Sequence, residues 1–338
     1  MILKRGISYK SRRKTPWDEE EQRTPMQEFL YQHYNMRYNN HHPLLSETGE
    51  TQLINSYIIK ACPHCSCETI KMNGHTGNGV QRYKCLSCKQ TFTPVTRTIF
   101  EGHKVSISEW MDYSLNIFRY VSINADSWNN RNAFKTSRYW LEKLFLVLEF
   151  YQNSLKLSDQ VWFDETFYSV RSEDIARTEE GNKLRGLCSN QMCIGVACDK
   201  NRTLCIFEGY GKPSQKKTLE LFKDHIVDGS TLIHDEDNAH KKLVKELHLN
   251  SIAYDSRKIK LLADKDNPLE RVNRIHYLLK SFLYAHRSFD REKIQGFLNL
   301  FVFVMNPPAD NLEKVELLLD LAFHNPKILR YRDFYASK

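Results

Sequence analysis

Residues 160–170, QVWFDETFYSV, decide how the second half of the chain is read. Trp162, Phe163, Phe167 and Tyr168 are aromatic residues of strand-forming type, and they flank Asp164 in the middle of the run. A carboxylate in so apolar a strand is costly unless it is paired or holds a cation. Further strand-like runs follow at 192–198 (MCIGVAC), 203–209 (TLCIFEG) and 230–234 (STLIH). Asp199-Lys200-Asn201-Arg202 between the second and third runs predicts a hairpin. Helices are expected over 214–227 and from about 268 to 286, with Pro268 suited to the first turn of the latter, and 290–325 reads as helical and strongly apolar around Phe297–Val304. The expected class is therefore α/β, a mixed sheet with flanking helices.

The run at 230–234 leads directly into Asp235, within HDEDNAH. Two Asp residues brought side by side on strands form a hard-oxygen site suited to Mg²⁺, with Mn²⁺ as a substitute. Such a site suits phosphodiester chemistry. A third ligand is expected on the helix around NPLERVNRIHYLLKSF, which offers Glu270, Asn273 and His276 on successive turns and then Lys280. Asn273 and Lys280 are two turns apart and share a face. The amide oxygen of Asn273 can ligate Mg²⁺, and Lys280 can hold a phosphate beside it. Asp237 competes with Asp235 more weakly, because Asp235 follows the apolar strand directly.

Upstream, Cys62-Pro-His-Cys65 and Cys85-Leu-Ser-Cys88 are two CxxC pairs separated by 19 residues. Each pair is a tight turn that aims two thiolates at one ion, and two turns complete a tetrahedral Zn²⁺ site. Four Cys ligands leave no open position, so this zinc is expected to be structural. His64 and Cys67 lie nearby without a partner at ribbon spacing. Lys71, Arg82, Lys84, Lys89 and Arg97 interleave with Tyr83 and Phe92, as on a DNA-contacting face or on a solvated one. Residues 105–157 read as helices, with Ser106 and Ser108 as candidate N-caps. Within them SINADSWNNRNAFKTSRYWLEKLF has the outline of a helix-turn-helix, with Lys135, Thr136, Ser137 and Arg138 at the start of the second helix, or of a plain helical linker.

Lys+Arg number 49 against 41 Asp+Glu, a basic excess compatible with nucleic acid but not diagnostic of it. No run approaches the roughly 18 apolar residues of a membrane span, and the N-terminus lacks a secretory core. The expectation is a cytoplasmic, nucleoid-associated protein whose nine cysteines stay reduced. The expected divisions are a basic and polar extension (1–55, with Lys4, Arg5, Lys10, Arg12, Arg13 and Lys14), a zinc ribbon (56–100), a helical DNA-binding region (101–157), a catalytic domain (158–306) and a C-terminal tail (307–338).

Over roughly residues 60–305 the chain resembles the bacterial insertion-sequence transposases that carry an N-terminal zinc ribbon and are related to the eukaryotic Merlin elements. The resemblance rests on CPHC…YKCLSCKQTFTPVTRTIF, VWFDETFYSV, KLRGLCSNQMCIGVACD, LIHDEDNAH and VNRIHYLLKSFL. Arg185-Gly186-Leu187-Cys188 stands where the family has Arg-Gly-Ile-Ser. The resemblance implies an RNase H-like catalytic domain with Asp164, Asp235 and Asn273 as metal ligands and Lys280 seven residues beyond. Glu270 competes for the third place as a true carboxylate, although the residue seven after it is Tyr277. It also implies metal-dependent cleavage and strand transfer on double-stranded DNA, at element inverted repeats and at a target, by a homo-oligomer. A non-catalytic DNA-binding regulator or domesticated transposase is the alternative, kept open by Asn in the third position. A resolvase or repair nuclease of the same fold shares the site but has no feature of its own.

Overall fold

The computed structural model describes residue 25 and residues 49–102, 106–129, 132–286, 289–324 and 327–336. The basic run between Lys4 and Lys14 lies outside the described residues. The chain divides into two compact units, residues 1–147 with 311–338, and residues 148–310.

In the first unit, helix α1 (Glu50–Ser56) precedes a three-stranded antiparallel sheet of β1 (Ile70–His75), β2 (Gln81–Cys85) and β3 (Thr91–Phe92). Three helices follow: α2 (Ile107–Phe118), α3 (Ile123–Asn129) and α4 (Phe134–Leu148). Ser106 caps α2 by accepting from Glu109 N–H at 3.3 Å, as expected for an N-cap. Ser108 lies inside the helix instead, and its N–H and hydroxyl both donate to the Glu50 carboxylate at 2.9 Å. Helices α2, α3 and α4 are tied together from within. Buried Asp126 accepts from Asn116 at 2.9 Å and from the Ser137 hydroxyl at 3.0 Å. Ser137 therefore faces inward and is unable to meet a phosphate, a correction to its expected exposure.

The chain's last segment belongs to this unit. Helix α10 (Asn311–His324) packs on α2, and Phe323 stacks on Tyr57 with ring centroids 3.9 Å apart. The Tyr139 hydroxyl donates to the Leu329 carbonyl at 2.5 Å, and α11 (Tyr331–Ala336) lies beyond.

The second unit is built on a five-stranded mixed sheet. Its strands are β4 (Gln160–Ser169), β5 (Gln191–Cys198), β6 (Thr203–Tyr210), β7 (Thr231–Asp235) and β8 (Asn250–Tyr254), in the order β6-β5-β4-β7-β8. β4, β5 and β6 form an antiparallel meander, and β7 and β8 continue the sheet in parallel. The expected Asp199–Arg202 hairpin joins β5 to β6, with Asp199 Oδ1 accepting from the N–H groups of Asn201 and Arg202 at 2.7 Å. β8 had no counterpart in the sequence reading, because its residues are mostly exposed and carry no apolar alternation.

Helices α5 (Gln215–Phe222) and α6 (Lys241–Glu246) cover one face, where Val161, Phe163, Leu232, Phe222 and Leu243 form a buried core. Gly195 is required at this contact. A Cβ there would lie 2.4 Å from Glu208 Oε1 and 2.6 Å from the Phe222 ring. After the short α7 (Ser256–Ile259), helix α8 (Glu270–Ala285) packs on β4 and β5, and α9 (Ile294–Met305) on β6. Pro268 stands just ahead of α8, and its carbonyl accepts from the Trp162 indole N–H at 3.1 Å. The strand order, with a three-stranded meander extended by two parallel strands and helices on both faces, is that of the RNase H-like fold.

Candidate active site

Alternation along β4 sends Val161 and Phe163 into the α5–α6 core and turns Trp162 and Asp164 toward α8. The parallel pairing of β4 with β7 runs from Gln160–Thr231 to Phe163–His234, and one step beyond it stand Asp164 and Asp235. Residues matched across a parallel pair point to the same face. The fold thus puts the two acids predicted from the sequence beside each other at adjacent strand positions. Burial pushes the Asp164 carboxyl up to about 7, and the Asp235 and Glu165 carboxylates add to that rise.

Helix α8 faces this pair with His276, whose Nδ1 lies 4.0 Å from Asp164 Oδ2. Burial, with the Lys280 ammonium one turn on, pushes His276 down to about 4, so the ring is neutral at pH 7. Its buried Nε2 has no partner among the described residues. Lys280, predicted to act beside the metal, is exposed on the next turn. Asn273 and Glu270, the two candidates for the third place, lie earlier on the helix and are both exposed. His276, on the turn after Asn273, is the α8 residue that comes nearest the acids among the described contacts. A polar residue at a buried position of an amphipathic helix was the available signal.

A second group of side chains sits behind the acids. His240, from the turn after β7, is fully buried, donates from Nε2 to Glu165 Oε1 at 3.0 Å and has Nδ1 3.7 Å from Asp235 Oδ1. Burial opposes charge on His240, but the Glu165 hydrogen bond and the Glu165, Asp235 and Asp164 carboxylates outweigh it and raise its pKa. Its neighbour His234 is pushed down to about 4 by burial and by His240. Nothing in the sequence drew attention to Glu165, His234 or His240, because their meeting depends on the pairing of β4 with β7 and on the turn after it.

In the ribbon, Cys62, Cys65, Cys85 and Cys88 bring their sulfurs within 4.8 Å of one another. Cys62 and Cys88 Sγ are 3.7 Å apart, and Cys65 and Cys85 Sγ are 3.6 Å apart. Four sulfurs each about 2.3 Å from a central ion would stand roughly 3.8 Å apart, so this donor set fits tetrahedral zinc. The N–H groups of His64 and Cys88 donate to the Cys62 and Cys85 sulfurs at 3.4 Å, a pattern that stabilises thiolates. Cys67 lies outside the cluster. Of the basic candidates for DNA contact, Lys84 is half-buried on β2. Lys89 is exposed, with its ammonium bonded to the Leu86 carbonyl at 2.5 Å. Arg138 is half-buried on α4, and exposed Lys135 has its ammonium 5.7 Å from the Tyr335 ring centroid.

The second unit is thus an RNase H-like domain with paired strand-borne acids. No protein-family model matches the chain, and no curated protein does. Among solved structures, the chain is similar to the Mos1 strand transfer complex at 10% identity and a TM-score of 0.29, covering 67% of this chain and 76% of that one. A pre-cleavage Mos1 transpososome gives 10% identity and a TM-score of 0.28, over 67% and 77% of the two chains. A simian T-cell lymphotropic virus intasome in complex with a PP2A regulatory subunit gives 10% and 0.27, and there the chain spans 66% of the matched chain's length and 56% of its own. The strand order, and not these neighbours, defines the fold. Among the described residues no helix is long and apolar enough to cross a membrane.

Proposed function

We propose that the protein is a metal-dependent DNA transposase that cleaves a phosphodiester at the ends of a DNA element and joins the freed 3′-OH to target DNA. The observation that carries this reading is the placement of Asp164 and Asp235 on adjacent parallel strands, under a helix that presents His276 and Lys280. Two half-buried acids side by side, one of them pushed up to about 7 by burial and then by the carboxylates beside it, form a donor set whose repulsion a divalent cation relieves. Bound there, Mg²⁺ or Mn²⁺ would supply activation of the attacking oxygen and stabilisation of the leaving one. Asp164 and Asp235 would be its ligands, with the third taken from α8, where Asn273 leads and Glu270 competes. Exposed Lys280 would hold a phosphate of the bound strand beside them. The Cys62, Cys65, Cys85 and Cys88 ribbon would hold structural Zn²⁺. With α2–α4 it would grip double-stranded DNA through Lys84, Lys89, Lys135 and Arg138. A homo-oligomer on paired DNA ends and a place on the nucleoid in the cytoplasm complete the proposal.

The test is cleavage of a duplex carrying the element end. Asp164→Ala and Asp235→Ala should each reduce strand cleavage below detection while leaving duplex affinity within about twofold, because these carboxylates hold ions and not bases. Undiminished cleavage by Asp164→Ala would remove the enzymatic reading and leave a DNA-binding regulator.

A further inference from the structure

The buried group behind the acids has the construction of a metal site in its own right. One ligand atom from each of His234, Asp235 and His240 lies within 4.8 Å of the other two. The two imidazoles approach through Nδ1 at 2.9 Å, and His240 Nδ1 is 3.7 Å from Asp235 Oδ1. Nitrogen and oxygen ligands held about 2.1 Å from one ion stand roughly 3.0 Å apart at a right angle and about 3.6 Å at a trigonal one, so both separations suit a shared cation.

Each ligand is also held from behind. His240 Nε2 donates to Glu165 Oε1 at 3.0 Å, His234 Nε2 meets the Ser251 hydroxyl at 2.9 Å, and Asp235 Oδ1 accepts from Asp237 N–H at 3.1 Å. Outer partners of this kind fix the orientation of metal-bound histidines and leave the inner nitrogen free to ligate. His240 Nε2 donates to Glu165, so its Nδ1 carries a lone pair toward His234. Where Ser251 accepts from His234 Nε2, a second lone pair meets it at 2.9 Å and a shared cation removes the repulsion; where the Ser251 hydroxyl donates instead, His234 Nδ1–H bonds to His240 directly. His240 is fully buried, and His234 nearly so, which leaves little room for water between the rings.

We propose that His234, His240 and Asp235 bind a transition-metal dication of the Zn²⁺ class, with Glu165 and Ser251 as orienting partners. Two imidazoles and one carboxylate suit Zn²⁺ and its neighbours better than Mg²⁺, which prefers oxygen. Three protein ligands leave one coordination position open. The site does not depend on the proposed DNA chemistry and shares only Asp235 with it. An ion here would hold the end of β7, and with it the Asp235 carboxylate, in the orientation that faces Asp164.

The experiment uses the full chain produced in medium containing Co²⁺ as the transition metal, then dialysed and assayed for cobalt by elemental analysis and visible spectroscopy. About two ions per chain are expected, one with the strong thiolate charge-transfer band of a four-sulfur site and one with only weak ligand-field bands. His234→Gln and His240→Gln should each reduce the content to about one and spare the thiolate band, whereas Cys62→Ser should remove that band and spare the weak ones. Should either buried histidine variant fail to fold, the wild-type content decides, and a single ion with only the thiolate band overturns the proposal. Asp164→Asn separates this site from the proposed catalytic one. A second ion lost in Asp164→Asn but retained in His234→Gln would place it among the catalytic acids and overturn the proposal, without touching the transposase reading.

Discussion

The ribbon and the sheet site both gather several ligand-type side chains, yet they are assembled differently. In the ribbon, two four-residue turns bring the donors in pairs, and 19 residues of hairpin close the square. On the sheet, Asp164, Asp235 and His276 come from β4, β7 and α8, more than 100 residues of chain apart at the extremes. The four-cysteine cluster gathers four like donors, enough to fill every position of a tetrahedral ion. The sheet site is crowded with like charge and flanked by an imidazole nitrogen that has no partner among the described residues. A closed sulfur site stabilises a fold, whereas a crowded oxygen site stores repulsion that binding can release.

That contrast can be broken at several points. After the two acids themselves, the largest effect is expected on α8. Asn273→Ala should lower cleavage on the order of 100-fold if its amide ligates the cation, and Glu270→Ala should leave it nearly unchanged. A dead Glu270→Ala beside an active Asn273→Ala would make the triad an all-carboxylate one. On the ribbon side, Cys62→Ser or Cys88→Ser should abolish tight zinc binding and unfold β1–β3. Amide exchange protection is the readout, and retained protection would show that the ribbon stands without metal.

A smaller effect is expected from a buried carboxyl on the sheet, for which the four-cysteine cluster has no counterpart. Glu208 on β6 is pushed up to about 7 by burial, then by Glu165. A carboxyl whose folded pKa is raised costs nothing below its unfolded value near 4.5. The penalty grows as pH climbs from there to about 7 and is complete above that. Glu208→Gln, which keeps an acceptor for the Thr218 hydroxyl, should therefore match wild type in denaturant stability at pH 4. At pH 8 it should exceed wild type by roughly 2–3 kcal/mol. Equal stability at both pH values would contradict the placement of Glu208. The smallest effect is expected at the proposed DNA contacts. Lys84→Ala and Arg138→Ala should each lower the log–log salt slope of duplex affinity by about 1 if each neutralises one phosphate, and leave sequence preference intact.

The amino-acid sequence alone determined those features whose information is local. CxxC spacing identified the four sulfurs, because a tight turn dictates where two neighbouring thiols point. Aromatic and β-branched runs marked β4 to β7, and the acids within them stood out against their apolar neighbours. The periodicity of 268–286 located α8 and set His276 and Lys280 one turn apart. Other features were decided only by tertiary structure. β8 became a strand because the edge of β7 offered it hydrogen bonds, not because NSIAY alternates. Ser137 turned inward because Asp126 needed a donor. Residues 311–338, which the sequence offers only as the end of a helical stretch and a C-terminal tail, joined the first unit through Phe323 and Leu329. The meeting of Glu165, His234 and His240 followed from the parallel register of β4 with β7. A register between strands some 70 residues apart is set by the packing of both sheet faces at once, and no single stretch of the sequence contains it.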